Sequence, residues 1–413
     1  MFNFVYPTLD SFGLDISDHS VKLVMIQGTG KRGEAGRLVS YNTFPFEAGL
    51  MEGGRVINKE KLASAIREGI TKARGQTIKT NAAVIALPEE QCFVRVVQLP
   101  PMPEAELFEA VSSETEGNIP LSMDEVYFDW QIITRPDTGT GKGDEHVKHF
   151  DVLVAATPKE VVDEYEELLK TAGLLPVVFE PESFAIARAA LRSRISYSPL
   201  LLVDLGETHT TLTIVSGTTI RVTASVVTAA GSFTELIASA FKVTHTEAEQ
   251  KKREHGISQE GEGYKIFKVL EAPLSDLIEQ IRGYLSFYAS HSFHEHQVWT
   301  LAVKTPDKTM GTFDFRPVSR GEILVGRDID PSVALSSHVG AAGISRIFLS
   351  GGGANLAGLP EYLSAALKVS VQRADPLVNI TAGVAAGHAT APFDPLSYTT
   401  AIGLGMRKSK TVL

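Results

Sequence analysis

Two carboxylates, Asp15 and Asp204, have the surroundings that phosphate chemistry needs. Asp204 closes the apolar run of LLLVDLGETHTTLTIVS (200–216), where a strand meets an acid and a glycine and then resumes as a second β-rich run. An ionised acid at the end of a buried strand is costly unless a cation or a hydrogen-bond donor meets it. An Asx-type turn explains such a corner without any ligand. A second copy points further: LDISDHSVKLVMI (14–26) aligns with VDLGETHTTLTIV (203–215), each reading apolar, Asp, apolar, small residue, polar turn and second strand. Two acidic hairpins from two related halves, facing across a cleft, can grip the phosphates of a nucleotide.

Other stretches carry weaker signals. In AAGSFTELIASAF, Ser232 and Glu235 have capping-box spacing at a helix start just after Gly231. Free N–H groups at such a helix start suit an anion, although an ordinary capped helix has the same sequence. In TEAEQKKREHG, Glu249 and Lys252 share a helix face at i, i+3, a pattern that usually marks a solvated surface. Gly351, Gly352 and Gly353 lie between an apolar strand, Ile344 to Ser350, and a helix start, so the backbone there can adopt conformations and approaches that a Cβ blocks. His291, His294 and His296 cluster in HSFHEHQ, but no acidic or cysteine ligand is fixed beside them by spacing. Cys92 is the single cysteine, which excludes an intrachain disulfide and a thiolate metal site.

The 413 residues suffice for two substantial domains. With 39 basic against 49 acidic residues the net charge is −10, and no long Lys/Arg cluster provides a footprint for nucleic acid. No run approaches the length of a spanning helix, and MFNFVYPTLDSFG lacks the charged start and apolar core of a signal peptide. The expectation is a cytoplasmic protein that reaches a membrane through a partner.

The elements that must position these residues follow from periodicity. Val21 to Gln27 and Leu38 to Phe46 read as strands, Ile57 to Ala73 as a helix, and Ala82 to Leu87 as a short buried strand. Phe93 to Leu99 reads as a strand and Glu104 to Glu116 as an amphipathic helix. Val126, Phe128, Trp130 and Ile132 alternate with polar neighbours as a half-buried strand, followed by a polar, glycine-rich loop, TRPDTGTGKGDEH, and a strand over Phe150 to Ala156. Helices are expected over Lys159 to Lys170, Glu182 to Arg192 and Ser275 to Ser290, and an irregular insertion over Lys304 to Ser337. The boundaries expected are 1–198 for the first half, with a small α/β unit interposed at about 89–180, and 199–413 for the second.

In this order the parts resemble the actin-like ATPase superfamily, an α/β fold of two related halves, and within it the PilM family of type IV pilus assembly. The residues that carry the resemblance are GLDISDHSVKLV, VVQLPPMP, GNIPLSMDEVYFDW, FDVLVAATPKEVVDEYEELLKTAGLLPVVFEPESFAIARA, LLVDLGETHTTLTIVSG, IRGYLSFY, IFLSGGGANLAGLPEYL and AIGLGMR. They span nearly the whole chain, and the interposed ones are specific to this family. The resemblance implies ATP and Mg²⁺ between the halves. Asp15, Ser17 and Lys22 then belong to the first phosphate hairpin, and Asp204, Gly206, Glu207 and Thr208 to the second. Gly231 falls near the phosphates, Glu249 and Lys252 near ribose and adenine, and Gly351 to Gly353 around the adenosine. Asp15 and Asp204 orient Mg²⁺ through water, since this ion keeps several waters beside a few carboxylates.

Three departures from the family pattern stand out: Ser17 replaces a usual glycine, Tyr284 replaces a small residue, and the insertion at Lys304 to Ser337 is long. The resemblance further implies a scaffold that binds the cytoplasmic N-terminal tail of PilN, an inner-membrane protein, and links the pilus ring to its motors, with ATP hydrolysis slow or incidental. A filament like actin or FtsA, or a sugar-kinase-like phosphotransferase, is the alternative on the same fold.

Overall fold

The structure is a computed structural model that describes residues 8–28, 36–119, 121–136, 149–291, 343–381, 393–407 and 409–410. His294, His296, the Lys304 to Ser337 insertion and most of the loop after Thr134 lie outside the described residues.

Three strands open the first half: β1 (Phe12–Ile16), β2 (Ser20–Gln27) and β3 (Gly36–Pro45). Helix α1 (Lys59–Thr71) follows, started by the Asn58 side chain, which accepts from Lys61 N at 3.1 Å. Next come β4 (Ala82–Leu87), whose six residues are all buried, then β5 (Phe93–Leu99), α2 (Leu107–Glu116), β6 (Val126–Thr134) and β7 (Phe150–Pro158). Helix α3 (Lys159–Thr171), β8 (Leu175–Pro181) and α4 (Glu182–Ala190) complete this part of the chain. The second half brings β9 (Ser196–Leu205), β10 (Thr210–Gly217), β11 (Thr219–Val226), α5 (Ala230–Phe241), α6 (His245–His255) and α7 (Gly261–His291). It ends with β12 (Arg346–Ser350), α8 (Leu359–Leu367), β13 (Ser370–Arg373) and α9 (Thr399–Gly405).

The two large sheets contain the same five-strand pattern. In one, β3-β2-β1 is an antiparallel meander, and β4 and β8 add to β1 in parallel. In the other, β11-β10-β9 is the meander, and β12 and β13 add in parallel. The repeat read from Asp15 and Asp204 is therefore a repeat of topology: both acids lie on the first strand of a meander, beside the parallel strands. Fully buried runs such as AAVIAL in β4 suit strands covered on both faces.

The strands β5, β7 and β6 pair antiparallel with one another, and β5 meets β11 at Arg95 and Val222, so they lengthen the second sheet. Their own small core joins Val97, Leu107, Val111, Phe150 and Val152, with Phe128, Trp130 and Ile132 packed against it. Helix α3 and strand β8 return to the first sheet.

Helix α7 differs from the expectation of Ser275 to Ser290. It starts at Gly261 and carries Pro273 inside. Proline removes one backbone donor and crowds the preceding turn, yet Ile266, Leu270, Leu274, Leu277 and Ile281 are all buried along this helix, and that packing outweighs the local cost. Tyr284, which stands where the family pattern has a small residue, is buried too, and its hydroxyl donates to Val222 O at 2.7 Å.

Candidate functional site

Asp15 sits on β1 opposite Lys22 of β2, and the Lys22 ammonium lies 3.9 Å from its carboxylate. The turn between these strands is closed by Ser17, whose N–H and hydroxyl both donate to Ser20 O at 3.0 Å. The Ser17 side chain is thus occupied within its own hairpin. Asp18, next in the turn, accepts from Gly53 N and Gly54 N at 3.1 and 3.0 Å.

Asp204 ends β9, and Ser350 at the end of the adjacent parallel strand β12 donates to its Oδ1 at 2.6 Å. Burial lifts the pKa of Asp204; the Ser350 hydrogen bond opposes this, and the charge of Asp15 adds to it. Burial also lifts Asp15, with Lys22 and His209 opposing. The two hairpins therefore sense each other's charge, and His19 of the first lies 3.8 Å from Glu207 of the second.

The second hairpin is bound to the start of α5. Ala230 N donates to Gly206 O at 2.9 Å and Gly231 N donates to Glu207 O at 3.0 Å. A Cβ on Gly231 would lie 2.5 Å from Glu207 O, so glycine is what allows this approach. Two corrections follow. The first two N–H groups of α5 serve the hairpin rather than standing free for an anion. The capping box at Ser232 does not form either: the cap is Ala229, and the Ser232 hydroxyl donates back to Ala229 O at 2.7 Å, because the helix begins three residues earlier than the motif suggested.

The glycine run packs against the same hairpin. Gly351 has φ +79°, and a Cβ there would lie 2.4 Å from Leu205 O. Gly353 abuts Leu205 and Ala230, whereas a Cβ on Gly352 would make only an ordinary contact, 3.9 Å from Ser397 Cβ. Hairpin, helix start and glycine run form one rigid corner.

Glu249 and Lys252 are not a solvated pair. Lys252 is buried, contacts Glu249 at 2.6 Å, and donates to Thr234 Oγ1 of α5 at 2.7 Å. Thr234 donates to Glu249 at 2.9 Å, and Arg253 does so at 2.8 Å. Burial works against the Glu249 charge, but the hydrogen bonds from Lys252, Arg253 and Thr234 outweigh it and hold the pKa down at about 2. The pair ties α6 to α5.

Sequence reasoning passed over a second group of acids. Beside Thr208, His209 Nε2 lies 3.1 Å from Glu182, the first residue of α4, and its Nδ1 lies 3.4 Å from Glu90, just after β4. Burial lowers the His209 pKa, but the hydrogen bond to Glu182 and the charges of Glu182, Glu90 and Asp204 carry it up to about 10. Glu182 itself rises to about 7, because burial exceeds what His209 returns. The available signals were local: PEEQ and PESF each place acids directly after a strand.

A family model described as "Type IV pilus assembly protein PilM" matches residues 13–302 and 331–409. The chain belongs to the PilM family. Among solved structures, the PilM-PilN type IV pilus biogenesis complex is similar at 24% identity and a TM-score of 0.68, covering 97% of this chain and 98% of that one. The ethanolamine utilization protein EutJ of Carboxydothermus hydrogenoformans aligns at 13% identity and TM-score 0.48, covering 96% and 88%. MreB5 of Spiroplasma citri bound to AMPPNP aligns at 14% and 0.47, covering 89% and 92%. With the five-strand pattern present in each sheet, this PilM-family chain has the actin-like ATPase fold of two related halves. Among the described residues no helix is long and apolar enough to cross a membrane.

The donor set suits a metal-bound nucleotide. A buried carboxylate, Asp15, and a half-buried one, Asp204, each resisting ionisation, with Lys22 beside Asp15, would be relieved by a divalent cation held through water.

Proposed function

We propose that this chain is an ATP-binding scaffold of the type IV pilus machine that docks the cytoplasmic N-terminal tail of a PilN-like inner-membrane protein. The observation that carries the reading is the pair of acidic hairpins, one from each five-strand repeat, whose tips approach where His19 lies 3.8 Å from Glu207. Asp15, Asp204 and Lys22 would hold Mg²⁺ and phosphates, with Lys22 a point charge and the turns of Ser17 and of Gly206 to Thr208 a cradle. Gly231 would sit beneath the phosphates, and Gly351 to Gly353 beside the adenosine. Glu249 and Lys252, tied to Thr234, would set the wall near the ribose through α5 and α6. Bound Mg²⁺ would supply charge neutralisation at the phosphates.

The family and the solved PilM-PilN complex support the choice of partner. The proposed division is 1–198 and 199–413, with the unit at about 89–180 beside the tail's groove. The protein would work in the cytoplasm, held at the inner membrane by its partner. The test is an anisotropy titration of a labelled peptide copied from the cognate PilN tail. Saturable binding in the micromolar range is expected, abolished by a scrambled peptide; no saturation at high micromolar protein would remove the scaffold reading.

A further inference from the structure

Strand β6 closes one end of the second, eight-stranded sheet, and β7 is its only strand neighbour among the described residues. An end strand presents backbone donors and acceptors that no further strand meets. One of the donors on β6 is met from within the strand: Trp130 N donates to the Asp129 carboxylate at 2.8 Å. A bulge between Ile132 and Thr134 interrupts the register with β7. A charged side chain and a bulge are both devices that keep an open edge from pairing with any strand it meets. The charge around this edge is of one sign. Between Arg95 and Arg135 the chain has eight acids and neither lysine nor arginine. All of these acids are exposed, and Glu104, which meets Arg135, is the one with an ion-pair partner among the described residues. Aromatic surface flanks the edge on both faces. Phe108 of α2 is 57% exposed with its ring 5.9 Å from that of Phe128, and Tyr127, 49% exposed, reaches Asp163 of α3 at 3.2 Å on the opposite face.

We propose that β6 accepts an extended, basic segment of a partner protein as an added strand. Backbone hydrogen bonds along the edge would hold the segment, and its side chains would alternate between the two faces. On one face its lysines or arginines would meet Asp129, freeing Trp130 N for the ladder; on the other its apolar residues would cover Phe108 and Phe128. The acids select the partner's charge, since like charges directly opposite one another in a sheet are destabilising. For the same reason a second copy of this chain is the poorer occupant: pairing β6 with itself about a two-fold axis brings one acidic unit against another. The proposal rests on neither the nucleotide nor the PilN-like tail, and its test contains no nucleotide.

The experiment is an anisotropy titration of the full chain with a labelled peptide of alternating lysine and valine, Lys-Val-Lys-Val-Lys-Val-Lys. Two controls accompany it: glutamate in place of lysine, and the lysine peptide N-methylated at every residue, which keeps the charge but cannot donate to a ladder. Saturable binding is expected, with each control weaker by about tenfold or more. Asp129→Lys should weaken the lysine peptide by about tenfold, and Asp129→Asn, which keeps an acceptor for Trp130 N, by less. Asp276→Lys makes the same change of charge at an exposed position on α7 and should leave binding within about twofold of wild type. The proposal is overturned if the lysine peptide does not saturate in the millimolar range, if either control binds equally, or if Asp129→Lys does no more than Asp276→Lys. Displacement of the peptide by the PilN-tail peptide would give the edge to the tail, and a dimer of the chain that the peptide breaks up would give it to a second copy; either result overturns the proposal as well.

Discussion

The acids of this site share one direction. Asp15, Asp204, Glu89 and Glu182 all resist ionisation because the fold buries them, and His209 holds its proton because acids surround it. Glu182, at about 7, and His209, at about 10, therefore keep protons through neutral pH that the unfolded chain releases, and their contribution to stability falls as pH rises. For His209 the pairing is fully present below the unfolded value of about 6.5 and is lost as pH passes its folded value of about 10. Urea unfolding at pH 7, 8.5 and 10 should show wild type losing stability more steeply than His209→Gln; parallel profiles would mean that His209 contributes no pairing energy. Asp204 was legible in the sequence as an acid needing a partner, but Ser350, 146 residues away, was not. A carboxylate announces that it needs a donor, while the donor is chosen by which strand becomes its neighbour.

The corner made by β9, the start of α5 and the glycine run depends on backbone approaches more than on side chains. Gly351→Ala adds a Cβ at φ +79° and 2.4 Å from Leu205 O. It should destabilise the chain by about 2 kcal/mol or more, measured by chemical unfolding, and a cost under about 0.5 kcal/mol would mean that the corner yields. Lys252→Met keeps the buried stem of the side chain but strips Glu249 of its closest partner. Because Glu249 is only 31% exposed, a loss of about 1–3 kcal/mol is expected, greatest at neutral pH and shrinking as Glu249 becomes protonated in both states. A loss that is the same at pH 7 and pH 2 would contradict the charge account. These elements were legible as types, and the errors have physical causes. Ser232 looked like a cap because its spacing to Glu235 is right, but hydrogen bonds from Ala230 and Gly231 to the hairpin pull the helix start upstream. The charged α6 looked solvated because local sequence does not show that α5 covers Lys252. The helix expected over Ser275 to Ser290 starts instead at Gly261, and a long buried face carries α7 through Pro273.

At the scale of the molecule, duplication explains why so much was readable. One aligned pair, Asp15 with Asp204, implied two halves, and each half proves to hold the same five-strand arrangement. What no alignment of hairpins reveals is that β5, β7 and β6 leave the chain of the first half and extend the sheet of the second, so that Glu89, Glu90 and Cys92 lie at the crossing. A tail docked beside this unit and a nucleotide held by the hairpins would thus act on neighbouring stretches of one backbone. The clamp itself is the central claim, and thermal unfolding with and without Mg·ATP tests it most directly. At about a hundred times the dissociation constant, ligand should add roughly 2.7 kcal/mol to wild type. In Asp204→Asn the amide oxygen can still accept from Ser350, so the fold should persist while the response to Mg·ATP disappears. A wild type that does not respond, or an Asp204→Asn chain that responds equally, would contradict it.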